Sequence, residues 1–217
     1  MKQVFILVEG ETEELFVKTT LAAFFKDRLC FHPINEHGGF NRKYGKLDKK
    51  LSAVLRSSYG NRVTTLMDYY AFPGDAPGMA DRPNGTALAK VRHVETQWRQ
   101  HYPSYSSFHP FLALHEIEAW LFADPSVLPD LRGEREKQHE MQEIVRRAGS
   151  VEAINDNPDT APSKRLMRIF PGNANLAGYS KTADGPRALH AIGIPAIRDK
   201  CPHFDAWIAG LEKYAAS

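Results

Sequence analysis

Cysteine is scarce in this chain: Cys30 and Cys201 are the only two, far apart and in no CxxC pair. That argues against a disulfide scaffold and against a cysteine-built zinc site. Long apolar runs are missing too. The longest, at residues 4–8 and 117–123, are far too short to cross a bilayer, so no membrane partner is expected. The opening MKQVFILVEG begins like a signal peptide, but its apolar stretch is brief and runs straight into the acids of EGETEE. It reads instead as a first strand of a cytoplasmic protein. No charge of one sign dominates, since the formal net charge is +2. Composition alone therefore does not mark a nucleic-acid binder, and such a role must rest on local clustering. There are no internal repeats and no low-complexity tract. The missing GxSxG elbow removes support for serine-type nucleophilic catalysis, and the missing GxxxxGK[ST] loop counts mildly against a nucleotide phosphohydrolase.

What is present is ordinary globular material: 217 residues, 42% hydrophobic and 25% charged, enough for one domain and a sizeable core. Residues 3–8 are apolar and partly β-branched, which predicts a buried parallel strand. Residues 11–26 carry Leu15, Thr19, Ala22 and Ala23 at helical spacing behind early acids, which predicts a helix. A second strand is expected at residues 30–34. A loop around His37-Gly38-Gly39 then leads to a helix at 45–56 with Leu47, Leu51, Val54 and Leu55 as its stripe. Residues 62–67 predict a third strand ending at Asp68, and residues 69–83, rich in proline and glycine, a long surface loop of the kind that is often functional or mobile. A helix at 86–101, a strand at 108–114 and a helix at 116–122 follow. Strands alternating with helices predict an α/β fold, a mostly parallel sheet with helices on both faces. Beyond Asp124 the pattern predicts a charged helix at 132–147, a turn-rich linker at 155–162, and helices at 163–170 and 205–214. The expected organisation is a core over residues 1–125 with a helical appendage over 126–217 packed on it.

Three acidic constellations fall at strand ends, the edge where open α/β sheets place their sites. In Val8-Glu9-Gly10-Glu11-Thr12-Glu13 a strand ends in a carboxylate, and more acids open the following helix. Glu11 and Glu14 suit the helix dipole, whereas Glu9 at the end of a buried strand is costly unless it binds something. Asp68 ends the third strand, so parallel pairing can bring it close to Glu9. Two anions at that range repel unless a metal or proton lies between them. His115-Glu116-Ile117-Glu118-Ala119-Trp120 follows the fourth strand. On a helix His115 and Glu118 share a face and Glu116 points elsewhere, and either glutamate could complete a metal shell. Position 119 is alanine, so this is not the HExxH zinc motif. Hard carboxylate oxygens in this number suit magnesium (or manganese).

Positive charge gathers at Arg42, Lys43, Lys46, Lys49 and Lys50, at Lys164, Arg165 and Arg168, at Lys181, and at Arg198 and Lys200. Such groups either form solvated faces or neutralise phosphates; Lys43, Lys46, Lys164 and Arg165 are the candidates for contact with nucleic acid. Carboxylates for a metal with lysines for phosphate suggest phosphodiester chemistry.

VEGETEELF followed by a strand ending in MDYY resembles the TOPRIM fold, shared by topoisomerases, primases and OLD-type nucleases. There a glutamate follows the first strand and a DxD pair follows a later one. The ordered set VEGETE, LMDYYAFPG, HEIEAWLF, APSKRL and CPHFDAWIAGLE, spread over nearly the whole chain, is similar to the bacterial family known as domain of unknown function 4276. The resemblance implies a magnesium-dependent nuclease-like domain, cutting DNA or RNA in anti-phage defence and encoded beside an ABC-type ATPase partner. By motif position Glu9 matches the TOPRIM glutamate, Asp68 the first aspartate of DxD, and Glu13 a second acid of the OLD-type pattern. Lys181 stands for the late lysine of that pattern. Tyr70 occupies the place of the second aspartate, so Glu118, Glu116 or Asp75 must supply the missing ligand. With Glu13 and Glu118 as ligand or base, the expected catalytic set is Glu9, Glu13, Asp68, Glu118 and Lys181. The Tyr70 departure leaves a second expectation, a catalytically weak or inactive subunit that regulates or binds the ATPase.

Overall fold

Alternating side chains along two strands set the layering. In β1 (Lys2–Val8), Val4, Ile6 and Val8 enter one core and Leu7 the other, the period-two split of a strand buried on both faces. β3 (Arg62–Asp68) sends Leu66 to the first core and Val63 and Met67 to the second. The computed structural model, which describes residues 1–35, 43–154 and 160–217, joins them in a five-stranded sheet of order β2-β1-β3-β4. Here β2 is Leu29–Asn35 and β4 is Phe108–His109, while β5 (Leu112–Ala113) also pairs with β3. Each of these pairings is parallel.

Helices cover both faces, as the α/β pattern predicts. α1 (Glu11–Phe16) runs through a π-helical turn (Val17–Leu21) into α2 (Ala22–Phe24). It packs in the first core with α5 (Val127–Arg132), α6 (Gln138–Ala148), α7 (Pro162–Ile169), α8 (Asp184–Lys200) and α9 (Pro202–Ala216). α3 (Tyr44–Ser57) and α4 (Ala87–Gln100) fill the second, with Trp98 fully buried. α4 starts at Thr86, whose hydroxyl accepts from the Ala89 amide at 3.2 Å, satisfying one of the free donors of a helix start. Side chains from residues before and after 125 share the first core. Among the described residues no helix is long and apolar enough to cross a membrane.

Several expected elements differ. The strand predicted at 108–114 is two short pieces, because Pro110 has no N–H for the ladder. Across the break the buried Thr65 hydroxyl donates to the Phe111 carbonyl (2.7 Å) and accepts from its amide (2.9 Å), doing the ladder's work with a side chain. The helix predicted at 116–122 is a 3-10 helix, Ile117–Phe122. The charged helix predicted at 132–147 is α5, a 3-10 turn (Arg135–Lys137) and α6, divided where Gly133 adopts a left-handed conformation. α8 is a helix the sequence pattern did not predict: Gly193 (φ 76°) kinks it and Pro195 follows, and both read as turn signals. The loop at His37-Gly38-Gly39, Arg42 and the linker residues 155–159 lie outside the described residues.

At the amino end of the sheet, His109 on β4 lies close to Arg62 and Arg99. Burial first, then these two charges, push its imidazolium down from 6.5 to about 4. A depressed histidine contributes stability above the unfolded value of 6.5, and this is lost as pH falls toward 4. With a discount for partial exposure, the loss is about 2 kcal/mol. In urea denaturation, the stability advantage of wild type over His109→Gln should shrink by that amount between pH 7 and pH 4. A difference that stays flat with pH would refute the assignment.

Candidate metal centre

Two strand ends and one strained turn build the site. Glu9 follows β1, and Gly10 continues in extended conformation (φ −148°, ψ −170°). The glycine serves space here rather than a tight turn: a Cβ would lie 3.2 Å from Glu13 Oε2. Glu13 is buried beside it, only 6% exposed, while Glu11 on the same short helix is exposed. Glu14 pairs with Lys18 and accepts from Asn35 Nδ2 at 2.8 Å. β1 and β3 pair side by side, so the Asp68 amide donates to Glu9 Oε2 at 3.4 Å. Asp68 Oδ1 accepts from the Ile117 amide at 3.0 Å, which anchors the start of the 3-10 helix to the end of β3.

After β5 the chain turns through His115, a non-glycine residue at φ 67°, and an extended Glu116 (φ −140°, ψ 153°). A side chain in the left-handed region costs energy and persists where its surroundings enforce it, often at functional sites. The consequence corrects the helical-face reading of HEIEA. Glu116 does not point elsewhere: carboxylate oxygens of Asp68, Glu116 and Glu118 all lie within 4.8 Å of one another. Tyr70, 40% exposed, adds only a backbone link, its amide donating to the His115 carbonyl at 3.3 Å.

The carboxy-terminal part supplies the counterweights. Ser163 in the first turn of α7 donates to Glu116 through its amide (2.8 Å) and its hydroxyl (3.0 Å), so Glu116 serves as an anionic cap for that helix. Lys181 Nζ lies 3.0 Å from Glu118 Oε1 and 3.7 Å from Glu116 Oε1. Its loop is closed tightly: Gly172 has φ 82°, and a Cβ there would meet the Gly178 amide nitrogen at 2.5 Å. Thr12 fastens the loop to α1, its hydroxyl donating to the Lys181 carbonyl at 3.3 Å.

Five carboxyl groups thus face one ammonium. Burial, then the charges of Glu13, Glu9, Glu118 and Glu116, hold Asp68 well above the ordinary carboxylate range. Burial also raises Glu9 and Glu118, and it carries Glu13 to about 7 with help from the charges of Glu118 and Glu9. Burial alone would lower Lys181, but Glu118 and Glu116 outweigh it and hold the ammonium above its usual value. Glu118 is 2% exposed, and among the described residues its Oε2 has no hydrogen-bond partner; the buried Tyr179 hydroxyl, which feels the Glu118 charge, has none there either. Orphaned buried polar atoms call for a ligand or water. Excess negative charge, three converging carboxylates and an unsatisfied oxygen together fit a hard divalent cation.

Glu9, Glu13, Asp68, Glu116, Glu118 and Lys181, all read from the sequence, are therefore gathered at one place. The cluster of Asp68, Glu116 and Glu118 is able to hold a metal ion, with Glu9 beside it at the Asp68 amide. Asp75 does not join it; its Oδ1 accepts from the Tyr44 amide at 2.9 Å at the start of α3. Lys43 and Lys46 lie exposed at the beginning of α3. Lys164 is exposed next to Ser163, and Arg165 Nε donates to the Thr160 carbonyl at 2.7 Å. Sequence reasoning did not single out Ser163, Thr12 or Tyr179. Ser163 alone carried a local signal, a hydroxyl beside a proline at a helix start.

Fold and site define an α/β protein with a buried carboxylate centre at the carboxyl edge of a parallel sheet. The chain belongs to the family described as Domain of unknown function (DUF4276), which it matches over residues 8–212. No curated protein and no solved structure matches it.

Proposed function

We propose that the protein is a magnesium-dependent, TOPRIM-like nuclease that hydrolyses phosphodiester bonds in DNA or RNA, acting with an ABC-type ATPase in anti-phage defence. The observation that carries this reading is the surplus of buried carboxylates around Glu118 Oε2, which has no hydrogen-bond partner among the described residues. Asp68, Glu116 and Glu118, with Glu9 alongside, would hold the ion. When bound, it supplies Lewis-acid polarisation of a phosphoryl oxygen and a more acidic water. Glu13, poised at about 7, is suited to accept a proton from the attacking water. Lys181 keeps its positive charge beside Glu118 and can face the charge that develops on the phosphate. Lys43, Lys46, Lys164 and Arg165 are the proposed contacts to the substrate backbone.

A second reading has two observations in its favour. Tyr70 offers no carboxylate where the TOPRIM pattern has its second aspartate, and Lys181 already occupies Glu118 Oε1. This describes a non-catalytic subunit that binds or regulates the ATPase. A plasmid-nicking and RNA-cleavage assay separates the two, run with the purified protein in magnesium or EDTA, alone and with the neighbouring ATPase. Magnesium-dependent cleavage that Glu9→Ala and Asp68→Ala abolish is the expected result. Equal inertness of wild type and variants with the partner present would leave the regulatory reading standing.

A further inference from the structure

Away from the acidic centre, a cavity of about 250 Å³ opens where the start of β3 and β4 meet α4 and α9. Arg62 lines it and Asp68 ends the same seven-residue strand, so the Arg62 end of the cavity lies about 20 Å from Asp68 at 3.3 Å per residue. Its charge is the reverse of theirs. Arg62 and Arg92 line the wall with His109, and Arg99 stands one heptad beyond Arg92 on the same face of α4. Among the described residues none of these three arginines has a carboxylate in ion-pair contact. Arg62 stacks instead over the Tyr214 ring at 4.7 Å. The single acid of the wall, Glu95, has one oxygen engaged: its Oε1 pairs with His203 Nε2 at 3.1 Å and accepts from the Leu112 amide at 2.8 Å. The floor is rigid. Phe111 stacks on Trp207 (4.5 Å, 9°) and on His203 (5.0 Å), and the Trp207 indole N–H donates to Thr64 at 3.0 Å.

We infer that this cavity is a binding site for a phosphate monoester, a second ligand site separate from the carboxylate centre. A dianionic tetrahedral phosphate offers several oxygens to guanidinium donors approaching from different directions, whereas one carboxylate is satisfied by one fork. The volume seats a phosphate group with the remainder of its molecule reaching out of the mouth. Crowding of like charges supports the assignment, since burial and then the charges of Arg62 and Arg99 depress His109. A bound dianion relieves that repulsion. Two sources share this chemistry, a free phosphorylated metabolite and the 5′-phosphate of a nucleic acid.

Isothermal titration of the full chain at fixed ionic strength, with inorganic phosphate, AMP, and 5′-phosphorylated and 5′-hydroxyl oligonucleotides, tests the site. Phosphate and AMP should bind more tightly than acetate. Arg92→Gln, an exposed position that leaves the core intact, should weaken them by about tenfold, and Arg62→Gln should do the same. Asp68→Asn should leave their affinity unchanged, which keeps this result independent of the metal centre. Preference for the phosphorylated over the hydroxyl oligonucleotide assigns the site to nucleic-acid ends; AMP binding without that preference assigns it to a free metabolite. The inference is overturned if phosphate, AMP and the phosphorylated oligonucleotide bind no better than acetate, or if both arginine variants bind like wild type.

Discussion

Replacing Asp68 with asparagine should abolish tight manganese or magnesium binding and reduce phosphodiester cleavage about a thousandfold or more. The size follows from the several kcal/mol that a bound cation contributes to phosphoryl-transfer transition states, each 1.36 kcal/mol being a factor of ten in rate. Asp68 is the most exacting position because it lies in the group of three close acids and is also tied to the site's scaffold. Asparagine keeps an oxygen for the Ile117 amide, so the turn that aims Glu116 and Glu118 should survive. The fold should gain stability without metal, because a strongly discouraged carboxylate has gone. Manganese titration followed by electron paramagnetic resonance, with cleavage measured on the same samples, makes the comparison. Activity within tenfold of wild type, or unchanged manganese affinity, would remove Asp68 from the centre and with it the nuclease reading.

The second large effect concerns stability without metal. Glu13 titrates at about 7 in the fold against an ordinary 4.5, so the folded state holds its proton more tightly than the unfolded state. Its contribution to stability is full below pH 4.5 and is lost as pH rises through 7. At 1.36 kcal/mol per unit, the loss is about 3 kcal/mol. Glu13→Gln lacks the charge, so in EDTA its stability relative to wild type should rise by that amount between pH 4.5 and pH 8. Magnesium should narrow the gap at pH 8, because a cation compensates the same charge in wild type. Urea denaturation across pH, with and without metal, reads both effects. A gap independent of pH would show that Glu13 is solvated rather than buried against its neighbours.

Much of this architecture could be read from residue patterns. Val4, Ile6 and Val8 ending at Glu9, and Val63 to Met67 ending at Asp68, carry strand and site together, because a parallel sheet sets neighbouring carboxyl ends side by side. The stripe of α3 and the extent of α4 were equally visible. What escaped depends on information outside any local window. HEIEA reads as a helix, but the left-handed His115 breaks it before Glu116, in a turn flanked by the Asp68 and Tyr70 hydrogen bonds on either side. Pro110 splits a strand whose gap is closed by Thr65 from the neighbouring strand. Ser163 and Glu116 lie 47 positions apart, and no periodicity links them.

That distance has a bearing on biosynthesis. Glu9, Asp68, Glu116 and Glu118 leave the ribosome well before Ser163 and Lys181, the groups that steady two of them. A nascent chain therefore carries the repelling half of the centre for some time without its restraint. Apolar side chains from α8 and α9 complete the core beneath β1, so the earliest strand waits for the latest helices. A centre assembled in this order takes its final electrostatic balance only once α7 and the Lys181 loop have been made, so the carboxylates and their restraints meet late in synthesis.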